Sequence, residues 1–253
     1  MLFLVFIFGA VLGSFLNVVL LRKNTGESFI YGDSRCFSCN QKLKWYEMIP
    51  ILSFALLRAR CGHCGSRISW QYALVELLTG FMALSIYSKF YAFKPTVFYF
   101  AAFSSLFLIA LYDFRNKIID SHFLYIFGFL GVYEWISRWL WGGGFIFKDL
   151  LSSFFIAFFF YLLWRLSRGT WMGRGDSNLA IFLGLFLGFP QNIFMLVLAF
   201  WIGAIVGITL LLMGNGRFNI KSEIPFGPFL ALATFIVWDF STFFNGIYHV
   251  YFF

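Results

Sequence analysis

Charge is scarce in this sequence. Charged residues make up 12% of its 253 residues and hydrophobic residues 61%, whereas a soluble globular domain has about 25% charged residues. This shortage excludes a soluble domain and indicates a polytopic membrane protein. The long apolar runs also lack a period of two, which argues against a closed β-barrel and leaves helices as the structures that can cross lipid.

The apolar runs predict an all-α protein with about eight transmembrane helices, and the chain shows no internal repeat. The predicted spans are 2–21, 73–92, 95–112, 123–141, 146–165, 178–189, 192–213 and 226–248. The sixth is unusually short, because a helix of that length rises only about 18 Å against a hydrocarbon core of about 30 Å. We expect it to draw the neighbouring loops inward or to begin below the membrane surface.

The distribution of Lys and Arg predicts which side each loop faces. If the N-terminus is outside, the cytoplasmic segments hold every Lys and Arg except Lys89, Lys94, Arg138 and Lys148, in agreement with the positive-inside rule. The net charge of +8 is then explained by topology and by contact with anionic lipid. It gives no indication of nucleic-acid binding.

Cysteine is rare too, and all of it lies in the polar loop 22–72. The loop contains two C-x-x-C pairs, which are Cys36 with Cys39 and Cys61 with Cys64. Four thiolates can hold one tetrahedral Zn²⁺ in a closed structural site. The alternatives are two disulfides or a redox-active pair, and a cytoplasmic loop disfavours stable disulfides. Asn40 and Gly65, which follow the pairs, tolerate the left-handed backbone that a turn around a metal often needs.

These features predict three segments. They are a first transmembrane helix at 1–21, a zinc-binding cytoplasmic domain at 22–72 and a larger transmembrane domain at 73–253. Within the spans, Glu134 and Asp239 are expected to bond polar partners, and Asn17 and Glu76 to make interhelical hydrogen bonds.

Two carboxylates stand at the cytoplasmic ends of predicted spans. Asp113 ends the third span in LIALYDFRNKIID, and Asp176 opens the sixth in WMGRGDSNLA. Ionisable groups near hydrocarbon are energetically unfavourable and usually have a function. Two carboxylates brought together do not both ionise easily, so one keeps a proton, as in aspartic proteases. The alternative is that each aspartate is only an interfacial or helix-capping residue.

Several stretches resemble, in order, the type IV prepilin peptidases, a family of G-x-G-D intramembrane aspartyl proteases. The stretches are GSFLNVVLLR, IPILSFALLRARCGHCGSRIS, ALVELLTG, YDFRNKIID, MGRGD and EIPFGPFLAL. The resemblance implies that Asp113 and Asp176 are the catalytic pair. It also implies an enzyme of the bacterial inner membrane, with its active site facing the cytoplasm, that removes the basic leader from prepilins or pseudopilins.

Members of this family with the cysteine insert usually also methylate the new N-terminus with S-adenosylmethionine. No glycine-rich cofactor loop in this sequence supports that second activity independently. Two alternatives therefore stay open: a peptidase without methyl transfer, and a non-enzymatic membrane assembly factor whose zinc domain docks a partner.

Four further residues are predicted to contact the substrate. Gly173 and Gly175 would let an extended substrate approach the backbone closely. Asp120 and Glu223 would form an acidic rim that receives the Lys and Arg residues of the leader. The alternative for Asp120 is that it only caps the N-terminus of the fourth span.

Overall fold

The computed structural model describes residues 1–23, 25–142, 146–170, 172–213 and 224–252. Over these residues the chain folds into α-helices, one short 3-10 helix at Trp45–Met48 and two isolated β-bridges. The helices are α1 Leu2–Arg22, α2 Leu52–Leu56, α3 Trp70–Phe90, α4 Phe93–Asn116, α5 Ser121–Gly142, α6 Ile146–Leu166, α7 Arg174–Leu187, α8 Gln191–Met213, α9 Gly227–Asp239 and α10 Ser241–Phe252. The prediction of an all-α protein is confirmed.

By length and composition, five of the described helices can cross a membrane: α1, α3, α4, α6 and α8. The bent pair α9 and α10 supplies a sixth if it counts as one span. The prediction of about eight spans is therefore not confirmed, although each predicted span contains a helix. The difference comes from α5, which has 22 residues but falls short in hydropathy, and from α7, which has only 14.

The chain divides into two compact units, Met1–Ser104 and Ser105–Phe253, with the division inside α4. In the first unit, α1 and α3 pack together at very short range. A Cβ atom on Gly9 of α1 would lie 2.6 Å from the carbonyl oxygen of Thr79, and one on Gly80 of α3 would lie 2.6 Å from the Phe6 ring. Small residues at such interfaces let helix backbones approach closely in lipid.

Two buried polar side chains of the first unit have the interhelical role predicted for them. Asn17 of α1 donates from Nδ2 to the carbonyl oxygen of Tyr72 in α3 at 3.5 Å. Glu76 of α3 accepts a hydrogen bond from the Ser14 side chain of α1. Glu76 also accepts the backbone N–H of Ile51 at 2.7 Å, which ties α3 to the cysteine loop.

In the second unit, α7 is the central helix and packs against α5, α6, α8 and α9. It begins four residues before the predicted span, because Gly173 acts as the N-cap with an extended backbone. It ends at Gly188, whose φ of 73° lies in the region that glycine adopts without strain. Caps at both ends keep this helix much shorter than the thickness of a bilayer.

The last predicted span is the one that differs most from its prediction. Residues 226–248 form two helices, α9 and α10, bent by 81° after Asp239. No proline or glycine marks the bend in the sequence. Instead, α10 packs on the start of α8: Tyr248 contacts Phe189 at a ring separation of 5.4 Å, and Phe244 contacts Phe194 at 5.3 Å.

Candidate active site

Asp113 lies in the last turn of α4 and is buried, with 4% of its surface exposed. Its Oδ2 accepts the backbone N–H of Gly227, the first residue of α9, at 3.0 Å. A Cβ atom on Gly227 would lie 2.6 Å from the same oxygen, so only glycine allows the backbone to come this close. The N-terminus of α9 therefore holds this carboxylate in place.

Asp176 lies in the first turn of α7 and is 6% exposed. Its Oδ2 accepts the backbone N–H of Gly173, the N-cap residue, at 3.1 Å. A carboxylate in this position satisfies one of the N–H groups that have no partner inside the helix. The predicted helix-capping role of Asp176 is thus present, and the residue is also buried near a second carboxylate.

The two aspartates line the same cleft of about 320 Å³. They are close enough to interact electrostatically. The other walls are the turn 117–119, the loop that leads into α7 and the segment 224–226 before α9. Three chain segments that are far apart in the sequence therefore meet around one pair of carboxylates, the arrangement that acid–base catalysis requires.

Gly173 and Gly175 both line the cleft, but their missing side chains face the protein. A Cβ atom on Gly175 would lie 3.0 Å from Cβ of Ile119, and one on Gly173 would lie 3.5 Å from Oδ2 of Asp176. Gly175 thus allows the loop to pack against the turn before α5, whereas a Cβ atom on Gly173 would make only an ordinary contact. Their contact with a substrate stays a prediction.

Asp120 caps α5. Its Oδ1 accepts the backbone N–H groups of His122 at 3.0 Å and Phe123 at 3.4 Å. It does not belong to the cleft lining, although its neighbour Ile119 does. The second predicted rim residue, Glu223, lies outside the described residues, and Ile224 directly after it lines the cleft.

Sequence reasoning missed two residues that line the cleft and a third, Gly227, that directly follows its lining segment. Gly227 donates its backbone N–H to Asp113. The sequence feature that could have indicated it is the PFGPF run at the start of the last predicted span. Lys117 and Arg174 line the cleft as well, and the guanidinium of Arg174 lies over the Trp164 ring at 5.6 Å. Both cations lie within the quoted YDFRNKIID and MGRGD motifs, so their positions in the chain were the available signal.

The four cysteines come together in the first unit. Their Sγ atoms all lie within 4.8 Å of one another, with Cys36 and Cys64 at 3.9 Å, and none forms a disulfide. In a tetrahedral site with Zn–S bonds of about 2.3 Å, neighbouring sulfur atoms are about 3.8 Å apart. The cluster could therefore bind a metal ion.

The two C-x-x-C turns have the same backbone geometry. In each, the N–H of the first cysteine donates to the carbonyl oxygen five residues on, and the residue after the second cysteine donates back to the first. These distances are 3.0 and 2.9 Å around Cys36, and 2.8 and 3.0 Å around Cys61. Asn40 and Gly65 have φ values of 57° and 70°, which confirms the left-handed backbone predicted for both.

Hydrogen bonds favour the metal-binding thiolate form at two of the four cysteines, Cys36 and Cys64. Backbone N–H groups of Cys39 and Ser38 lower the pKa of Cys36 to about 6. The Ser66 side chain lowers the pKa of Cys64. The pKa of Cys39 is instead raised to about 11, because the lowering effect of the backbone N–H of Gln41 is outweighed by desolvation and by the neighbouring Cys36 and Cys64 sulfur atoms.

Comparisons with known proteins give the family. The model described as Bacterial Peptidase A24 N-terminal domain matches residues 7–90, and the one described as Type IV leader peptidase family matches residues 100–208. A Myxococcus xanthus protein named prepilin leader peptidase/N-methyltransferase is 35% identical over 232 residues, which are 88% of this chain and 67% of that protein. A Bacillus subtilis protein of the same name is 31% identical over 246 residues, or 94% of each chain. The chain belongs to the type IV prepilin leader peptidase family.

This family membership makes the chain a peptidase, and its long apolar helices make it a multi-pass membrane protein. The leader-peptidase match includes Asp113 and Asp176, and the N-terminal-domain match includes all four cysteines. Gly227 lies beyond both matched ranges. No solved structure matches the chain.

Proposed function

We propose that this peptidase is an intramembrane aspartyl endopeptidase that removes the basic leader from type IV prepilins or pseudopilins. The observation that carries the proposal is the meeting of Asp113 and Asp176, from two different helices, in one cleft. The substrate class comes from the names of the relatives, which are prepilin leader peptidases.

The two carboxylates divide the work of hydrolysis. One takes a proton from water, and the water oxygen attacks the carbonyl carbon of the scissile peptide bond. The other gives its proton to the carbonyl oxygen. The tetrahedral intermediate then collapses with cleavage of the C–N bond: the leaving amine takes the proton that the first carboxyl took from water, and the intermediate's hydroxyl returns a proton to the second carboxylate. The backbone N–H groups of Gly227 and Gly173 hold one oxygen of each carboxylate during these steps.

We assign the enzyme to the bacterial inner membrane, with the cleft facing the cytoplasm. The support is the excess of Lys and Arg in the segments on the Asp113 and Asp176 side, since positive residues stay in the cytoplasm. A prepilin is itself anchored by an apolar helix with its basic leader inside. Its scissile bond then lies at the membrane edge, at the depth of the two aspartates.

The second proposed activity is methylation of the new N-terminus with S-adenosylmethionine. Its support is the name N-methyltransferase that the relatives carry. Within the part of the chain that the structure describes, no cluster of residues identifies a site for this cofactor. We therefore assign no residue to the transfer.

For the four-cysteine cluster we propose Zn²⁺ in a structural role. The separation of the Sγ atoms and the matching turns fit a tetrahedral four-thiolate site. Such an ion supplies cross-links between Cys36, Cys39, Cys61 and Cys64. A small polar domain of this kind has too little hydrophobic core to fold without such help.

Mass spectrometry of a prepilin co-expressed with the enzyme tests both activities at once. We expect a pilin that has lost its leader and gained one methyl group. A cleaved but unmethylated pilin would leave a peptidase without methyl transfer. An intact prepilin in the presence of folded enzyme would contradict the proposal.

The variants Asp113→Asn and Asp176→Asn test the mechanism. Each should lower leader removal by on the order of 10³-fold or more, because neither carboxylate can replace the other. Both variants should still insert into the membrane and keep a Tm near that of the parent. If purified Asn variants at both positions cleave normally, the two aspartates do not carry the reaction and only cap helices.

A further inference from the structure

A polar cluster lies at the end of α7 opposite Asp176. At its centre is the guanidinium of Arg138, which comes from α5. Its Nη1 donates to the carbonyl oxygen of Leu187 at 2.8 Å, and its Nη2 donates to that of Leu185. Both carbonyl groups belong to the last turn of α7, where they have no partner inside the helix. A cation at this end also complements the negative end of the helix macrodipole.

Asp149, in the first turn of α6, completes the cluster. Its Oδ2 lies 3.7 Å from Nη1 of Arg138, and its Oδ1 accepts the backbone N–H of Phe189 at 2.8 Å. Asp149 is 6% exposed, and a carboxylate so deeply buried requires partners. Glu134, one turn before Arg138, adds a longer ion pair at 3.9 Å, which is the polar partner predicted for it.

The cluster fixes how α7 can sit between its neighbours. Gly188 at the C-terminal cap makes room for the guanidinium, which a Cβ atom there would overlap. Nearer the other end, Ser177 donates from Oγ to the carbonyl oxygen of Ala157 in α6 at 2.9 Å. These contacts restrain α7 against sliding and rotation, and the carboxylate of Asp176 moves with the helix.

We propose that Arg138 is a positioning residue for the peptidase reaction and acts through α7 on the separation of Asp176 and Asp113. The proposal rests on the catalytic role proposed for Asp176. A slip of one residue along a helix axis is about 1.5 Å, and a misplacement of about 1 Å can lower a rate about 100-fold. Without Arg138, two buried carbonyl groups lose their donor and Asp149 keeps only the backbone N–H of Phe189, so α7 shifts to find other partners.

The test is Arg138→Met, which keeps an apolar side chain of similar reach and removes the donors. We call the contacts of Arg138 with Leu185, Leu187 and Asp149 the clamp. We expect kcat to fall about 10- to 100-fold, with KM changed less than about twofold, because the clamp does not touch the substrate. Arg138→Lys should give an intermediate kcat. The matched control is Lys148→Met. Lys148 is also a cation near this end of α7, and its Nζ lies 6.0 Å from the centre of the Phe189 ring. The kcat of this variant should match that of the parent.

Two further measurements separate positioning from simple stabilisation. The pH profile of kcat should change in Arg138→Met, because the interaction between the two carboxylates depends on their separation. Asp149→Asn should also lower kcat. The kcat of the double variant should be no lower than that of the less active single variant, because Arg138 and Asp149 act as a unit.

A purely structural role would lower Tm and yield but leave kcat per folded molecule and its pH profile unchanged, and this result would overturn the proposal. If Arg138→Met does not fold, Arg138→Lys and Asp149→Asn carry the same test. If Asp176→Asn loses cleavage but Arg138→Met keeps a normal kcat, the positioning role of the clamp is rejected and the catalytic role of Asp176 stands. Normal cleavage in Asp176→Asn would reject the catalytic assignment on which the clamp rests.

Discussion

At the scale of single residues, one member of the proposed catalytic pair is held by a glycine that performs no chemistry. Gly227 brings a backbone N–H to 3.0 Å from Asp113 and leaves no space for a Cβ atom. The sequence alone could not reveal this contact, because it joins positions more than a hundred residues apart. Motif resemblance identified the two aspartates but gave no information on what holds them.

Gly227→Ala should therefore damage catalysis. The added methyl group would push Asp113 away and break its hydrogen bond, so we expect kcat to fall about 10-fold or more. The matched control is Gly246→Ala in α10, where no atom lies within 4 Å of the new Cβ and the helix should gain slightly in stability. Both variants would be compared by cleavage of a purified prepilin in detergent. Equal kcat for Gly227→Ala and the parent would show that the close approach is unimportant.

Asp120 has a capping role in the structure and a proposed rim role toward the substrate, and two substitutions separate them. Asn caps a helix about as well as Asp, so Asp120→Asn removes the charge and keeps the cap. The rim proposal predicts a KM raised several-fold at low ionic strength, a nearly unchanged kcat and a smaller defect in high salt. Asp120→Ala should in addition lower the Tm, since loss of a cap costs about 1 kcal/mol. An unchanged KM for Asp120→Asn at low salt would remove this residue from the rim.

At the scale of elements, the backbone geometry of the two cysteine turns could be predicted from the sequence, because local interactions determine it. The spacing of each C-x-x-C pair and a following residue that accepts a positive φ are enough to define such a turn. The bend between α9 and α10 is the opposite case. Asp239 alone does not mark it, and α10 packs against Phe194 of α8 and Phe189 just before α8.

The metal is the prediction that belongs to these turns. Purified enzyme should contain about one zinc ion per chain. Cys36→Ser should lose the metal and lower the Tm of the cysteine domain, because metal binding and folding are coupled in such domains. The control is His63→Ala, since His63 lies between two of the cysteines but outside the cluster; it should keep its zinc. Metal-free protein with freely reactive thiols, measured by elemental analysis and thiol labelling, would contradict the zinc assignment.

At the scale of the whole molecule, composition predicted the class and the motifs predicted the chemistry. The number of spans could not be predicted from the sequence, because packing against neighbouring helices, rather than their own hydropathy, positions α5 and α7. The clamp on α7 was hidden for the same reason. Arg138 and Asp149 read as separate charges near the outer ends of predicted spans, and only the fold joins them at Leu187.

The short length of α7 also constrains the order in which the enzyme can become active during its synthesis. A helix of 14 residues is too short for the insertion machinery to treat as an independent span. It has to enter the bilayer beside α5 and α6, which leave the ribosome before it. Asp113 receives its backbone donor only when Gly227 has also emerged. The nascent chain therefore carries both aspartates before the hydrogen bond from Gly227 to Asp113 can form.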